Sequence, residues 1–453
     1  MNKRRYILCA LALALAVGVQ AQDYLRMTER DLQGTARYVG MSGAMSAIGG
    51  DPSAVHANPA GLGLYQRVEV MLTMDEGIGK TYQLGTSGLR TNRFSVPQAS
   101  VVWAFGTNNT DGVLFHNMML SYQRLRTFDR SMYAEGKGGP SLGGVMGQTG
   151  VVLDIPYPNE RTNSGSDLRI DEAGRVHAFG IHWAMNINHQ WYMGLGMKIL
   201  SYSLNSVGVY NERFAMVNAD GLHEMIRNST SLILSGAGVD FSAGLIYRPA
   251  RWFRFGFAVE TPSFGSLSTS TNGTISARTD TLRVSYSPYM PVGKARDFHM
   301  PVRTSLSTAF QIYDKAMIAL QYDYAHQQDR YDTHSLRAGL EIVPVAGLYI
   351  NAGYAFEFMR DRDRQSGATE RAVKIDGAFN RQDAYFMYPQ RSHYASAGIG
   401  YRGSHAMIQA AYQYRWQNTH LYAHENSIMN PYAMCGETHR IVLTIAWHSN
   451  WYW

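Results

Sequence analysis

The feature that most constrains this chain is a two-residue alternation in which apolar side chains hold one parity and charges hold the other. Phe253, Phe255, Phe257 and Val259 share a parity, while Arg254 and Glu260 take the opposite one. Successive side chains of a strand point to opposite faces, so each such run is a strand with one greasy and one polar side. The same phase recurs in Met193-Leu195-Met197-Ile199, in Ile318-Leu320-Tyr322-Tyr324 and in Leu336-Ala338-Leu340-Ile342. It continues through Leu348-Ile350-Ala352-Tyr354-Phe356, Ile408-Ala410-Tyr412-Tyr414-Trp416 and Ile441-Leu443-Ile445-Trp447. A charge such as Arg254 facing lipid at the bilayer midplane would cost ~2–4 kcal/mol, so the charged parity is assigned to a barrel lumen and the apolar parity to lipid. Tyr and Trp at strand ends fit interfacial girdles.

Connections sort by length. Tight turns fall at 106–112, 186–190, 248–251, 314–315, 344–346 and 402–404, and long segments at 128–175, 203–231, 261–298, 326–334, 357–391 and 417–438. In outer-membrane barrels short turns are periplasmic and long loops external. The expected fold is all-β: a membrane-spanning antiparallel β-barrel of about fourteen strands counted from Arg67, with both termini on the periplasmic side. Strand fourteen finishes near Trp447, and the terminal aromatic suits the barrel-assembly machinery of the outer membrane.

Residues 1–21 read as a secretory signal: basic Lys3, Arg4 and Arg5, an apolar run to Val19, and a small-x-small end at Ala21. Cys9 sits too early to be a lipoprotein cysteine, and only Cys435 survives cleavage, which excludes an internal disulfide framework. Removing the signal takes three basic residues from a formal +6 and leaves about +3, which implies no nucleic-acid partner. No later apolar run approaches the ~18 residues of a membrane helix, and no linker divides the chain. The expected organisation is signal 1–21, an N-terminal hatch at 22–65 plugging the lumen, and the barrel at 66–453.

The hatch is read from its composition. Gly40, Gly43, Ala44, Ala47, Gly49 and Gly50 leave too little side chain to cover a pleated surface, so this stretch must pack closely in some other form. Asp51-Pro52 reads as a helix N-cap followed by the first helical residue. A single turn follows, and Asn58-Pro59-Ala60-Gly61 ends it, because Pro59 pushes Asn58 out of the α region.

Gly34, Ala36, Arg37, Gly43, Ala44, Asp51 and above all Asn58-Pro59-Ala60, placed between a signal and a run of strands, resemble the N-terminal hatch of the FadL/TodX family. These are outer-membrane channels for long-chain fatty acids and other hydrophobic compounds. The hairpin at 238–264, with its arginine-proline turn and closing Thr-Pro, and the opening Met300-Pro301-Val302-Arg303 are also similar to that family. The resemblance implies passive uptake of a fatty-acid-like ligand, contact with outer-membrane lipids, and no cofactor. It implies gating by Gly50, Asp51, Asn58, Pro59 and Ala60, and an inward kink of strand three that opens a lateral gap. His116 and Asn117 break the alternation there and are the kink candidates, although a polar residue facing a wide lumen explains Asn117 equally well.

Two long loops carry apolar residues where water is expected: Leu142, Val145, Met146, Val151 and Leu153 in one, Phe214 and Met216 in the other. They form a candidate capture groove leading to an apolar pocket in the barrel, or simply pack on one another. No catalytic constellation is legible. Gly139–Gly143 matches G-x-S-x-G but lies in a glycine-rich loop rather than at a strand-to-helix turn. His420 and His424 lack a third metal ligand, and Arg360–Arg364 reads as a solvated loop tip or a lipopolysaccharide contact. The ligand is left open among fatty acids, aromatic hydrocarbons and haem. A rival reading from relatives of the fold is a protein shuttle of the PorV type in type IX secretion.

Overall fold

The structure, a computed structural model, describes residues 27, 29–83, 88–136, 165–214, 224–278, 283–286, 293–298, 301–313, 315–326, 331–361, 385–422 and 431–449. Its wall is built from β1 (Glu69–Gln83), β2 (Leu89–Gly106), β3 (Val113–Thr127), β4 (Arg130–Gly136), β5 (Gly165–Ile187) and β6 (Trp191–Phe214). It continues through β7 (Glu224–Ala250), β8 (Phe253–Glu260), β9 (Phe264–Arg278), β10 (Arg283–Tyr286), β11 (Gly293–Phe298) and β12 (Val302–Ile312). It ends with β13 (Ala316–His326), β14 (Tyr331–Ile342), β15 (Leu348–Asp361), β16 (Phe386–Arg402), β17 (Ala406–Tyr422) and β18 (Tyr432–His448).

These segments form fourteen staves, because β3 with β4, β8 with β9, and β10 and β11 with β12 each continue one line of the wall. Every stave pairs antiparallel with the next, and β1 pairs with both β2 and β18, which closes the barrel. No edge is left to template aggregation at that closure.

The alternation has its expected sense. Phe255 and Phe257 point outward and are exposed, whereas Gly256, Ala258 and Glu260 are buried inside. Arg254 reaches inward and donates to the carbonyl of Ile48 at 2.9 Å. Leu195 and Ile199 face outward, with Gly194, Gly196 and Lys198 between and beside them facing inward.

The long segments are shorter as loops than expected. β6 runs to Phe214 and β7 begins at Glu224, so most of the expected loop 203–231 is strand, and the same holds at 165–175 and 264–278. The cause is a change of apolar parity without a change of register. Up to Ile199 the apolar side chains of β6 face out, and from Leu200 onward Leu200, Tyr202 and Leu204 face in while Ser201, Ser203 and Asn205 face water. The pairing of β6 with β5 and β7 continues unbroken through this switch. The inward residues form a packed cluster with Met27, Leu125, Phe128, Val176 and Leu234. Burial of each such side chain is worth ~1.5–3 kcal/mol, which holds the protruding wall together where lipid no longer covers it.

Candidate functional site

Inside the barrel the segment ahead of β1 folds as two short helices, α1 (Ala36–Gly40) and α2 (Pro52–Ala57), and a 3₁₀ turn at Pro59–Leu64. Asp51 caps α2 as the Asp-Pro pair predicts. Its Oδ1 accepts from the Ser53 amide at 2.8 Å and the Ala54 amide at 3.3 Å, and its Oδ2 accepts from the Thr35 hydroxyl at 2.6 Å. Burial pushes the Asp51 carboxyl up, against the pull of those donors and of Arg37. Thr35 caps α1 in turn, so one buried cluster starts both helices. Gly49 and Gly50 take left-handed φ of +63° and +62°, and the Gly50 amide donates to Gly61 at 3.0 Å. A Cβ on Gly49 would crowd Leu64 and Gly61, so the turn and the end of the Asn-Pro-Ala motif close against each other.

Asn58 does two jobs. Its Oδ1 accepts from the Ala60 amide at 3.1 Å, which holds the turn, and its Nδ2 donates to Ser46 at 2.9 Å and to Leu245 of the wall at 3.4 Å. The wall meets it with small residues. Ala184, Gly194, Gly244 and Ala258 are direct neighbours across β5, β6, β7 and β8. A Cβ on Gly194 would overlap the Pro59 carbonyl, and one on Gly244 the Asn58 amide. On the far side Gly339 and Gly353 face each other across β14 and β15, and Met41 packs against both. Arg37 clamps Glu341 through two bonds of 2.6 and 2.7 Å.

Asn117 belongs to this seat and not to a kink. Its Nδ2 donates to the carbonyls of Leu62 and Tyr65, both at 2.8 Å, which fastens the end of the 3₁₀ turn. His116 faces the other way and stacks on Trp183 with ring centroids 5.9 Å apart. β3 passes through both residues in regular pairing with β2. The stave breaks later, at Phe128-Asp129, between β3 and β4. Pairing of β2 with β3 ends at Gln98 and Gln123, beside Pro97, which has no amide to donate. From Leu89 to Pro97, β2 pairs only with β1, and its other edge has no ladder partner among the described residues. β4 lies close to this edge without pairing to it, and Glu135 of β4 is instead tied to Gln83 of β1, accepting at 2.8 Å and donating at 2.7 Å.

Above the hatch lies a buried ion cluster. Lys198 lies 2.5 Å from Glu260 and 3.4 Å from Asp240, and Arg30 also bonds Glu260. Beside it His56 of α2 shares a 2.9 Å hydrogen bond with Ser121 and sits edge-on to His182, centroids 4.9 Å apart. Burial, then the neighbouring His182, Lys198 and Arg30, hold His56 well below its usual range, with only Glu260 opposing. A histidine kept neutral in place but free to protonate once released adds a seating force that is present above about pH 6.5 and fades below it. Leakage per barrel in planar bilayers is therefore expected to rise as pH falls from 7 to 5, and His56→Gln should remove part of that dependence.

Gly50, Asp51, Asn58, Pro59 and Ala60 thus lie together in the hatch. Leu142, Val145, Met146, Val151, Leu153 and Met216 lie outside the described residues, as do residues 1–21, 139–143, His424 and 362–364, and Phe214 is the last residue of β6. The cavities among the described residues have mixed linings, charged and apolar side by side. One, of about 120 Å³, is lined by Arg30, Lys198 and Arg303 facing Glu29, Glu260 and Glu357. Sequence reasoning missed the wall glycines, whose only signal was glycine on the inward parity of otherwise apolar strands.

No family model and no curated protein matches the chain. Among solved structures, a FadL homologue of Pseudomonas aeruginosa superposes with a TM-score of 0.55 at 12% identity, over 93% of this chain and 99% of that one. The toluene transporter TodX of P. putida gives 0.55 at 14% identity over 93% and 100%, and the monoaromatic hydrocarbon channel CymD gives 0.54 at 12% over 94% and 99%. Superposition over nearly the whole length of both partners shows that this chain has the outer-membrane barrel fold of the FadL and TodX hydrophobic-compound channels.

Proposed function

We propose that the protein is an outer-membrane channel for passive uptake of hydrophobic compounds, with long-chain fatty acids and aromatic hydrocarbons as the ligand classes to test. The observation that carries this reading is a tightly seated hatch inside the barrel combined with a stretch of β2, Leu89 to Pro97, that has a ladder partner on one side only among the described residues. Such a barrel would hold back water and ions, and the unpaired edge of β2 beside β4 is where we propose that an apolar molecule passes sideways into the bilayer. The short turns then face the periplasm, the long connections face outward, and a shift of the hatch around Asn58-Pro59-Ala60 offers a second way out. Nothing in this reading requires energy coupling or catalysis.

Cells lacking their own uptake route and expressing the barrel should accumulate labelled toluene or oleate several-fold faster than cells with an empty vector. Replacing Val151, Leu153 and Phe214 by Asp should reduce that rate while the heat-modifiable barrel persists, because these residues are proposed to capture the ligand. Uptake no faster than in the empty-vector cells would refute the channel. Unchanged uptake by the triple variant would refute only the capture role.

A further inference from the structure

Where the outward apolar band ends, one arrangement recurs on four of the outer hairpins. A tyrosine of the rising strand shares a hydrogen bond with Nδ1 of a histidine on the falling strand: Tyr122 with His177 at 2.8 Å, Tyr322 with His334 at 2.8 Å, Tyr354 with His393 at 2.7 Å and Tyr412 with His439 at 2.6 Å. The register is the same each time. Arg124, Tyr324, Phe356 and Tyr414 stand directly opposite the four histidines, and the bonded tyrosine is two residues before that position. Each pair has the parity of the lipid-facing residues, and each histidine is eight residues from an outward side chain near a short turn: Met185, Ile342, Tyr401 or Trp447. At ~3.4 Å per residue and the usual tilt, that spacing spans most of the ~25 Å apolar band of such barrels, so the four imidazoles lie at its outer rim.

Neighbouring rings hold the imidazoles in place: His393 stacks on Trp416 with centroids 4.7 Å apart, and His334 on Phe358 at 5.0 Å. A tyrosine hydroxyl that donates to Nδ1 fixes a neutral imidazole with its proton on Nε2. Nε2 of all four histidines has no hydrogen-bond partner among the described residues, so each pair ends in an unspent donor on the lipid side of the wall. One step further out, the same face carries Lys80, Arg90, Arg175, Arg360 and Arg391. Of the outward acids, Glu437 accepts from Tyr82 at 2.7 Å, Asp332 lies 3.1 Å from Nδ1 of His326, and Glu76 is two steps deeper than Lys80.

We propose that this belt docks the phosphate of a lipid of the surrounding outer leaflet, held between the histidine Nε2 donors and the cations above them. The acyl chains then lie along outward residues such as Leu336, Ile350 and Ile399, which are exposed below the belt. A phosphate monoester offers three acceptor oxygens and the negative charge that the cations call for. The site belongs to the outer wall and not to the lumen. It rests on the channel reading only for the placing of the long connections outside, and it is independent of what the channel carries.

Native mass spectrometry of the purified full-length barrel in neutral detergent tests the proposal with dioleoyl phosphatidate, dioleoylglycerol and sodium phosphate as probes. The wild type should retain the phosphatidate at about tenfold lower concentration than dioleoylglycerol, since charge-assisted bonds are about twice as strong as neutral ones. His177→Phe, His334→Phe, His393→Phe and His439→Phe together keep the rings and remove the donors, and should cut that preference several-fold. Gln at the same four positions keeps an N–H and should restore part of it. A phosphatidate with a photoreactive headgroup should label the peptides around His393 and Trp416. Equal retention of the two lipids by the wild type would overturn the proposal, as would an unchanged preference in the folded Phe variant. Labelling confined to lumen residues would do so even if no variant assembles. Displacement of the phosphatidate by inorganic phosphate at equal concentration would also overturn it, because the lipid anchor would then count for nothing. Toluene uptake by the wild type reports separately on the channel, since none of the four histidines faces the lumen.

Discussion

Gly194→Val should turn a closed barrel into a leaking one. The side chain of residue 194 points inward, and its Cβ would fall on the Pro59 carbonyl, which is backbone and cannot rotate away. Overpacking costs ~1–3 kcal/mol where side chains can yield, and here a main-chain segment must move. Each 1.4 kcal/mol is about a tenfold shift in the ratio of seated to unseated hatch, so conductance per barrel should rise by one to two orders of magnitude. The outer face of β6 is untouched, so the barrel should still assemble and remain heat-modifiable. Asn58→Ala, which removes a bond to Leu245 and two within the hatch, should act in the same direction but less strongly. If Gly194→Val conducts like the wild type, the small-residue seat does not hold the hatch.

The largest loss of stability is expected for Lys198→Met. Lys198 is the cross-strand neighbour of Asp240, forms an ion pair with it at 3.4 Å and donates to Glu260, and all three are buried. Taking out the cation leaves Asp240 beside Glu260, with Arg30 3.8 Å from Asp240 and already bonded to Glu260. Breaking a buried ion pair from one side costs ~3–5 kcal/mol. Guanidinium unfolding in micelles should show a correspondingly lower midpoint. The double variant Lys198→Met with Asp240→Asn should recover most of the loss, because it removes the orphaned charge along with its partner. A single variant as stable as the wild type would mean that Arg30 or water already neutralises the pair.

The sequence by itself determined the wall and the chemistry of the hatch's caps. Strand parity is a local property, since a charge two residues from another charge must share its face, and the cost of placing Arg254 in lipid decides which face is the lumen. Asp51-Pro52 and Asn58-Pro59 are local as well, because a cap is made by a side chain and backbone a few residues away. Only the tertiary structure decided where the strands end. The apolar face passes from outside to inside at Ile199 and Leu200 as the surroundings change from lipid to water, and a reader following alternation alone takes that change of phase for the start of a loop. Tertiary structure also decided which inward glycines matter. Gly194 and Gly244 are wall positions like many others until Pro59 and Asn58, more than a hundred residues earlier in the chain, are laid against them. The same reason makes Asn117 an anchor for Leu62 and Tyr65, while β3 parts from β2 after Gln123 and the stave is interrupted at Phe128-Asp129. A cavity lined by Arg93, Arg126, Arg415 and Arg440 was beyond sequence reading altogether, because these residues come from four strands that only barrel closure brings together.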